Sequence, residues 1–336
     1  MIFFRRFSTK IVKEISPYSK IKINGGFNYK IKPFDLFECQ DSNKLRVSFE
    51  TPAESTEQLP KVQITDNHVE LTDSGANKNL CCLLEVPIKS DLTVKTSQNV
   101  SISDLYSDLL DIEAKNVRTK NIHGTDIKIS TNGGEISCTG LLLGKDIKFF
   151  LDSGDLTIDR IQGEKLVIKQ NDGKINISSC YSTYSQFDCT NSVMNLKNIH
   201  KLCHIHAHGS GELTMHGFSG TLIADLDDYL MNLQFSEVLG RSKVTCKSDK
   251  PSTVNLASQI LENCYVKLKA NRMNLDEELT LLNLSTNGEH IRINDKSFAN
   301  HLRIVHSNEV LLGKLAWADA FNFGENGEKF QLKDVK

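Results

Sequence analysis

His204, His206 and His208 alternate along one short segment, with Cys203, Ile205 and Ala207 at the intervening positions. Side chains of an extended strand point alternately to its two faces, so the three imidazoles share one face and the apolar residues the other. Nineteen residues further on, Ile223, Asp225 and Asp227 repeat the alternation. If successive segments pair side by side, Asp225 lies about 4.8 Å from the histidine strand. Two histidines and an aspartate form a donor set that Zn²⁺ accepts at about 2.0–2.2 Å per bond. The competing reading is an outward polar ladder, since solvent-facing strand positions are polar in any case. No partner that would orient the imidazoles is visible in the sequence, and no metal site is assigned.

The remaining chemical motifs are weaker. His208-Gly209-Ser210-Gly211 and Asp227-Asp228 are similar to stretches of polysaccharide-cleaving β-helix enzymes, in which paired carboxylates serve as acid and base. In those enzymes the aspartates precede the His-Gly segment and a basic Arg-x-Lys follows. Here the order is reversed and Arg292-Ile293-Asn294 lacks the lysine, so no catalytic residue is assigned. Asn24-Gly25-Gly26 and the other glycines form neither G-x-G-x-x-G nor G-x-x-x-x-G-K-[ST] ahead of a helix, so no phosphate-binding site and no cofactor are expected. The nine cysteines are odd in number and contain no C-x-x-C pair. They read as small core side chains of a reducing compartment, with Cys81 and Cys82 on opposite faces of one strand. Asn99-Val-Ser101, Asn176-Ile-Ser178 and Asn283-Leu-Ser285 match the glycosylation acceptor, a motif that matters only in a secreted protein.

What must position these residues is a repeat. From about residue 92 an apolar–any–apolar unit, a polar turn and a second apolar–any–apolar unit recur, as in Ile127 to Cys138, Ile147 to Ile158, Leu166 to Ile177 and Cys203 to Met215. The turn residues fall at Asn99, Asn116, Gly134, Gly154, Gly173, Ser192, Gly211, Asp228, Asp249, Asn271, Gly288 and Asn308. From Asn99 to Asn308 is 209 residues over eleven intervals, a mean of 19.0. Period-2 alternation means strands with one buried face, and a fixed period near 20 means stacking, because one repeat cannot bury its apolar face alone. The expected fold is all-β: a single-stranded β-solenoid of about twelve rungs, with glycine and asparagine corners stacked in ladders. A β-sandwich would alternate similarly, but without one recurring cassette.

Four segments follow: a transit peptide over 1–23, a β lead-in or cap over 24–90, the solenoid over 91–312 and a short cap over 313–336. In the lead-in, strand-like runs at Leu45 to Phe49, Val62 to Ile64, His68 to Leu71 and Leu83 to Val86 lie among four of the six prolines. Trp317, Phe321, Phe323 and Phe330 supply aromatic area to close the last rung. Residues 1–23 carry Arg5, Arg6, Lys10, Lys13, Lys20 and Lys22 against Glu14 alone, with Phe3, Phe4, Phe7, Ile11 and Ile15 at helical spacing. This is a mitochondrial import composition, with Arg5-Arg6 just ahead of a processing cut, and a matrix location is expected. Over the whole chain 40 Lys+Arg oppose 42 Asp+Glu, a net charge of −2, which calls for neither nucleic acid nor an anionic surface. No apolar run approaches the roughly 20 residues of a membrane-spanning helix.

Leu84-Glu85-Val86-Pro87 followed by the rungs Asp91 to Thr96, Leu151 to Ile158 and Lys169 to Ile177 resembles the family of β-solenoids known as putative adhesins, over roughly residues 80–310. With its import-like start the whole is similar to a mitochondrial animal group, the family with sequence similarity 185. The resemblance implies the solenoid fold and supplies no catalytic residue. The expectation is a non-enzymatic solenoid with a protein partner. The alternative is a carbohydrate-active or metal-dependent enzyme centred on His206, His208 and Asp225.

Overall fold

The computed structural model describes residues 7–35, 37–38, 40–50, 61–65, 67–72, 80–280, 284–286 and 289–315. These form one β-solenoid, with two short helices, Ser258–Asn263 and Glu277–Thr280. Corner Gly288 and the aromatic residues from Trp317 onward lie outside the described residues.

The alternation read from the sequence sets the core. Within Ile136–Ser153, Ile147, Phe149 and Leu151 are buried, while Lys148 and Phe150 between them face outward. Parallel pairing then stacks like on like. One inner column runs Val94, Ile112, Ile129, Phe149, Ile168, Phe187, Ile205, Ala224, Val244, one residue per rung. Each is buried, and an aliphatic or aromatic side chain removed from water in this way contributes about 1.5–3 kcal/mol.

At both ends the column leaves chain order. Val94 pairs not with the preceding strand but with Ile23, and Ile23 with Leu71. Val244 pairs with Ile304, and Ile304 with Leu268. Lys20–Gly25 and Asn28–Pro33 thus form the penultimate rung at one end, between the rung of His68–Thr72 and Cys81–Val86 and the rung of Asp91–Thr96 and Asn99–Ser103. Asn300–His306 and Glu309–Lys314 do the same at the other, between Arg241–Lys247 with Ser252–Leu256 and Cys264–Lys269 with Arg272–Leu275. The sequential order Asp249, Asn271, Gly288, Asn308 is therefore corrected: the Asn308 amide donates to the Asp249 carbonyl, and Asn271 N–H to the Asn308 carbonyl.

Antiparallel strands cover the outermost rungs. Lys44–Glu50 pairs with Cys81–Val86 and with Phe7–Glu14, and Lys61–Thr65 with His68–Thr72. His290–Ile293 pairs with Cys264–Lys269, and Leu284–Thr286 with His290–Ile293. Reversing strand direction ends the parallel stack, so further copies cannot add in register. Glu85, nearly buried, ties the first cap down through Arg46 at 2.8 Å and Lys32 at 3.2 Å.

The transit peptide expected over 1–23 would end inside Lys20–Gly25, where Ile21 and Ile23 are buried core residues, and Phe7–Glu14 is a strand rather than part of an amphipathic helix. The lead-in expected over 24–90 contains a regular rung as well as the cap.

The corners stack as ladders. Asn99 donates its amide to Asn28 Oδ1 at 2.8 Å, Asn116 to Asn99 Oδ1 at 2.7 Å, and Glu135 N–H to Asn116 Oδ1 at 2.8 Å. The glycines that follow are steric. A Cβ on Gly154 would lie 2.1 Å from the Gly134 carbonyl oxygen. A second corner, unmarked by the sequence reading, puts Asp104, Asn121 and Gly140 at φ 55°, 49° and 71°. Asn121 donates to Asp104 at 3.0 Å, and its Oδ1 fills the place a Gly140 Cβ would take, 2.2 Å away.

Candidate functional site

The histidine strand His200–His208 lies between Cys180–Thr190 and Gly211–Asp227. Cys203, Ile205 and Ala207 face the core, and His204, His206 and His208 face out, as their spacing requires. In register, Asp188, His206 and Asp225 are consecutive neighbours, and so are Gln186, His204 and Ile223. Around them Tyr184 donates to Gln186 Oε1 at 3.0 Å, Gln186 donates to Asp188 Oδ2 at 2.9 Å, and Lys169 lies 3.7 Å from Asp188. The His204 ring meets Tyr184 edge-on at 5.1 Å, and burial lowers its pKa, with the neighbouring His206 adding to the effect.

These donors do not converge. Zinc needs its donors within about 2.2 Å of one point, which sharing a face and lying on adjacent rungs does not by itself supply. Among the described residues no group of three His, Cys, Asp or Glu side chains comes together to hold a metal.

The other motifs are absorbed by the corners. Asp228 is a turn residue at φ 57°, held by Lys250 Nζ at 3.0 Å from its carbonyl and 3.6 Å from its carboxylate. Gly209 takes φ 77° beneath the Asn191 side chain, which accepts the Ser210 N–H at 3.0 Å. Gly211 leaves room for the ring of buried Tyr229, whose hydroxyl accepts the Ser192 N–H at 3.1 Å. Seven of the eight described thiols are buried, and Cys81 is half-buried. Burial pushes Cys138, Cys189 and Cys246 up to about 12 and Cys264 up to about 11, so none of these is a thiolate nucleophile at neutral pH.

A different outward column carries the exposed rings of Tyr106 and Tyr181. Tyr106, His123, Leu143, Gln162, Tyr181, His200, Ser219 and Glu237 are successive neighbours across the rungs. Tyr106 packs on His123 with ring centroids 4.5 Å apart, and Tyr181 stacks on His200 at 4.4 Å and 13°. Burial lowers the His200 pKa against the opposing pull of Glu237. At the start of this column a groove of about 380 Å³ opens, lined by Tyr18, Lys89, Asp91, Tyr106, Asp108 and His123. Tyr18 is 67% exposed and Tyr106 45%. The Leu109 N–H orients Asp91 at 2.9 Å, and the Thr125 hydroxyl orients Asp108 at 3.3 Å. The signal available in the sequence was the Tyr–His spacing of one repeat, 106 to 123 and 181 to 200. Tyr18 fell in the segment assigned to import.

Stacked parallel rungs with interleaved ends define a β-solenoid. The sequence model of the Toastrack DUF4097 family matches residues 38–304, and the chain belongs to that family. The match omits residues 20–33 and 305–314, which nevertheless complete the penultimate rungs. Solved structures similar to this chain include a putative adhesin from Parabacteroides merdae ATCC 43184, 10% identical, covering 92% of this chain and 96% of its own at a TM-score of 0.42. One from Parabacteroides distasonis ATCC 8503 is also 10% identical, covering 90% and 96% at 0.38. A putative cell adhesion protein from Clostridium sporogenes ATCC 15579 is 11% identical, covering 91% and 98% at 0.18.

Proposed function

We propose that the chain is a non-enzymatic interaction solenoid of the mitochondrial matrix that binds a protein partner along its rigid outer face. The observation that carries the binding reading is the outward column from Tyr106 to His200, in which exposed rings are braced by neighbours on the next rung. Side chains fixed before contact lose little entropy on binding, and aromatic anchors dominate interface energies. Adhesion, the role named for the similar solved proteins, is likewise a binding role.

The location rests on the basic, acid-poor start and on eight described cysteines that are all free thiols, which suits a reducing compartment. A processing cut compatible with the sheet lies ahead of Phe7, next to Arg5-Arg6, because a cut at residue 23 would remove core strands. In intact cells, proximity labelling is expected to give a reproducible set of mitochondrial proteins; a set indistinguishable from an inert matrix control overturns the binding reading. Arg5→Ala with Arg6→Ala in a tagged chain is expected to abolish import, and unchanged localisation defeats that part. Zinc analysis of the purified protein addresses the enzyme alternative: stoichiometric metal lost in His206→Ala would favour it.

A further inference from the structure

We propose that the groove between Tyr18 and the Tyr106–His123 pair binds a proline-rich protein segment in the polyproline II conformation, flanked by arginine or lysine. This rests on the interaction reading and names its site and ligand. The rings of Tyr18, Tyr106 and His123 line the groove together with Lys89, Asp91 and Asp108. Asp91–Thr96 beneath it is paired on both edges, with Lys20–Gly25 and Tyr106–Ala114, so a partner strand cannot add to it. A polyproline II chain suits such a cleft: it has no internal hydrogen bonds to satisfy, is ordered before binding, and lays its pyrrolidine rings against aromatic faces.

Charge selects the flank. Of the residues lining the groove, Asp91 and Asp108 oppose Lys89, whose ammonium lies over the Tyr18 ring at 5.9 Å, while Lys20 is the neighbour of Asp91 on the next rung. Each carboxylate is oriented through one oxygen, Oδ1, by the donors of Leu109 and Thr125. The second oxygen has no hydrogen-bond partner among the described residues, which fits it to accept from a guanidinium. A neutral glycan would use the same rings but gain nothing from the excess of negative charge.

The test titrates the full-length chain into a fluorescein-labelled peptide of one arginine followed by six prolines, read by anisotropy. Binding is expected, weakened about tenfold by Tyr106→Ala and retained by Tyr106→Phe. Asp91→Asn with Asp108→Asn is expected to weaken binding and flatten its dependence on salt. Tyr181→Ala, further along the same column, is expected to leave it unchanged. Because Tyr106 is half exposed, the variants should melt as the parent does, which circular dichroism checks. No anisotropy change with millimolar protein, or equal losses from Tyr106→Ala and Tyr181→Ala, overturns the proposal. So does saturable binding of cellohexaose in place of the peptide. If the peptide fails while proximity labelling still returns a specific partner set, the interaction reading stands and this groove is not its site.

Discussion

Gly154 sits at φ 109° with the Gly134 carbonyl oxygen 2.1 Å from where a Cβ would be, so alanine there meets both backbone strain and an atom that cannot rotate away. Gly240, at φ 70°, faces only Thr221 Oγ1 at 3.4 Å. Gly154→Ala is therefore expected to cost about 3 kcal/mol or more and Gly240→Ala about 1 kcal/mol, compared by urea unfolding at constant m. Equal losses would show that strain alone, not the stacked carbonyl, sets the glycine. A second residue-level effect belongs to buried His306. Its Nδ1 accepts the Asn308 N–H at 2.9 Å, which leaves the proton on Nε2 to be donated to Ser252 Oγ at 2.9 Å. Burial lowers its pKa below 6.5. The unfolded chain then binds more protons than the folded one just below pH 6.5, so stability is complete at neutral pH and falls as the solution is acidified. Burial-lowered His200 and His204 act in the same sense. Between pH 7.5 and 5.5 the urea midpoint is expected to fall, and less so in His306→Gln; an unchanged slope in the variant would assign the effect elsewhere.

Among the elements, the strand Lys20–Gly25 has the most to explain. Its alternation of lysine with Ile21 and Ile23 is the pattern of a half-buried strand, yet the same lysines complete the basic composition of an import segment. The structure makes the segment a strand, paired with His68–Thr72 on one side and Asp91–Thr96 on the other. Deleting residues 1–6 is expected to leave the melting temperature unchanged. Deleting 1–25 removes the core residues Ile15, Ile21 and Ile23, uncovers edges of Lys44–Glu50, His68–Thr72 and Asp91–Thr96, and is expected to give insoluble protein. A soluble, cooperatively melting 1–25 deletion would mean that the rung is dispensable. The four lead-in strands named from the sequence match to within two residues at every boundary, because alternation and proline punctuation are local signals, whereas Asn28–Pro33 was missed. Neighbour choice was not. Asp249, Asn271 and Asn308 are equally good corners, and nothing local tells a parallel strand that its partner is some 60 residues away rather than 20. The second corner was missed because Asp104 and Asn121 do without glycine by taking the left-handed region themselves. The outward face of the histidine strand was legible from period 2, whereas the Tyr106 groove needs Tyr18 brought from another strand connection.

Taken whole, the molecule is a stack whose chain-terminal rungs are not its outermost ones. In an ordinary solenoid the last repeat has one neighbour, so it opens at lower free energy than the middle and frays first. Here Lys20–Gly25 and Asn300–His306 are each hydrogen-bonded on both edges, and the outermost rungs lie beneath antiparallel strands. Opening either segment requires a neighbouring rung to part as well. Amide hydrogen exchange in native buffer should therefore give Ile21, Ile23, Leu302 and Ile304 the protection of Phe149 and Ile168 at the centre, while Lys61–Thr65 and Leu284–Thr286, each paired on one side, exchange faster. The same topology makes those pairings long-range, which delays folding: neither end can close until the chain has crossed a rung and returned. If residues 20–33 or 300–314 exchange as fast as Lys61–Thr65, the interleaving does not lock the ends, and the stack behaves as a simple row of repeats.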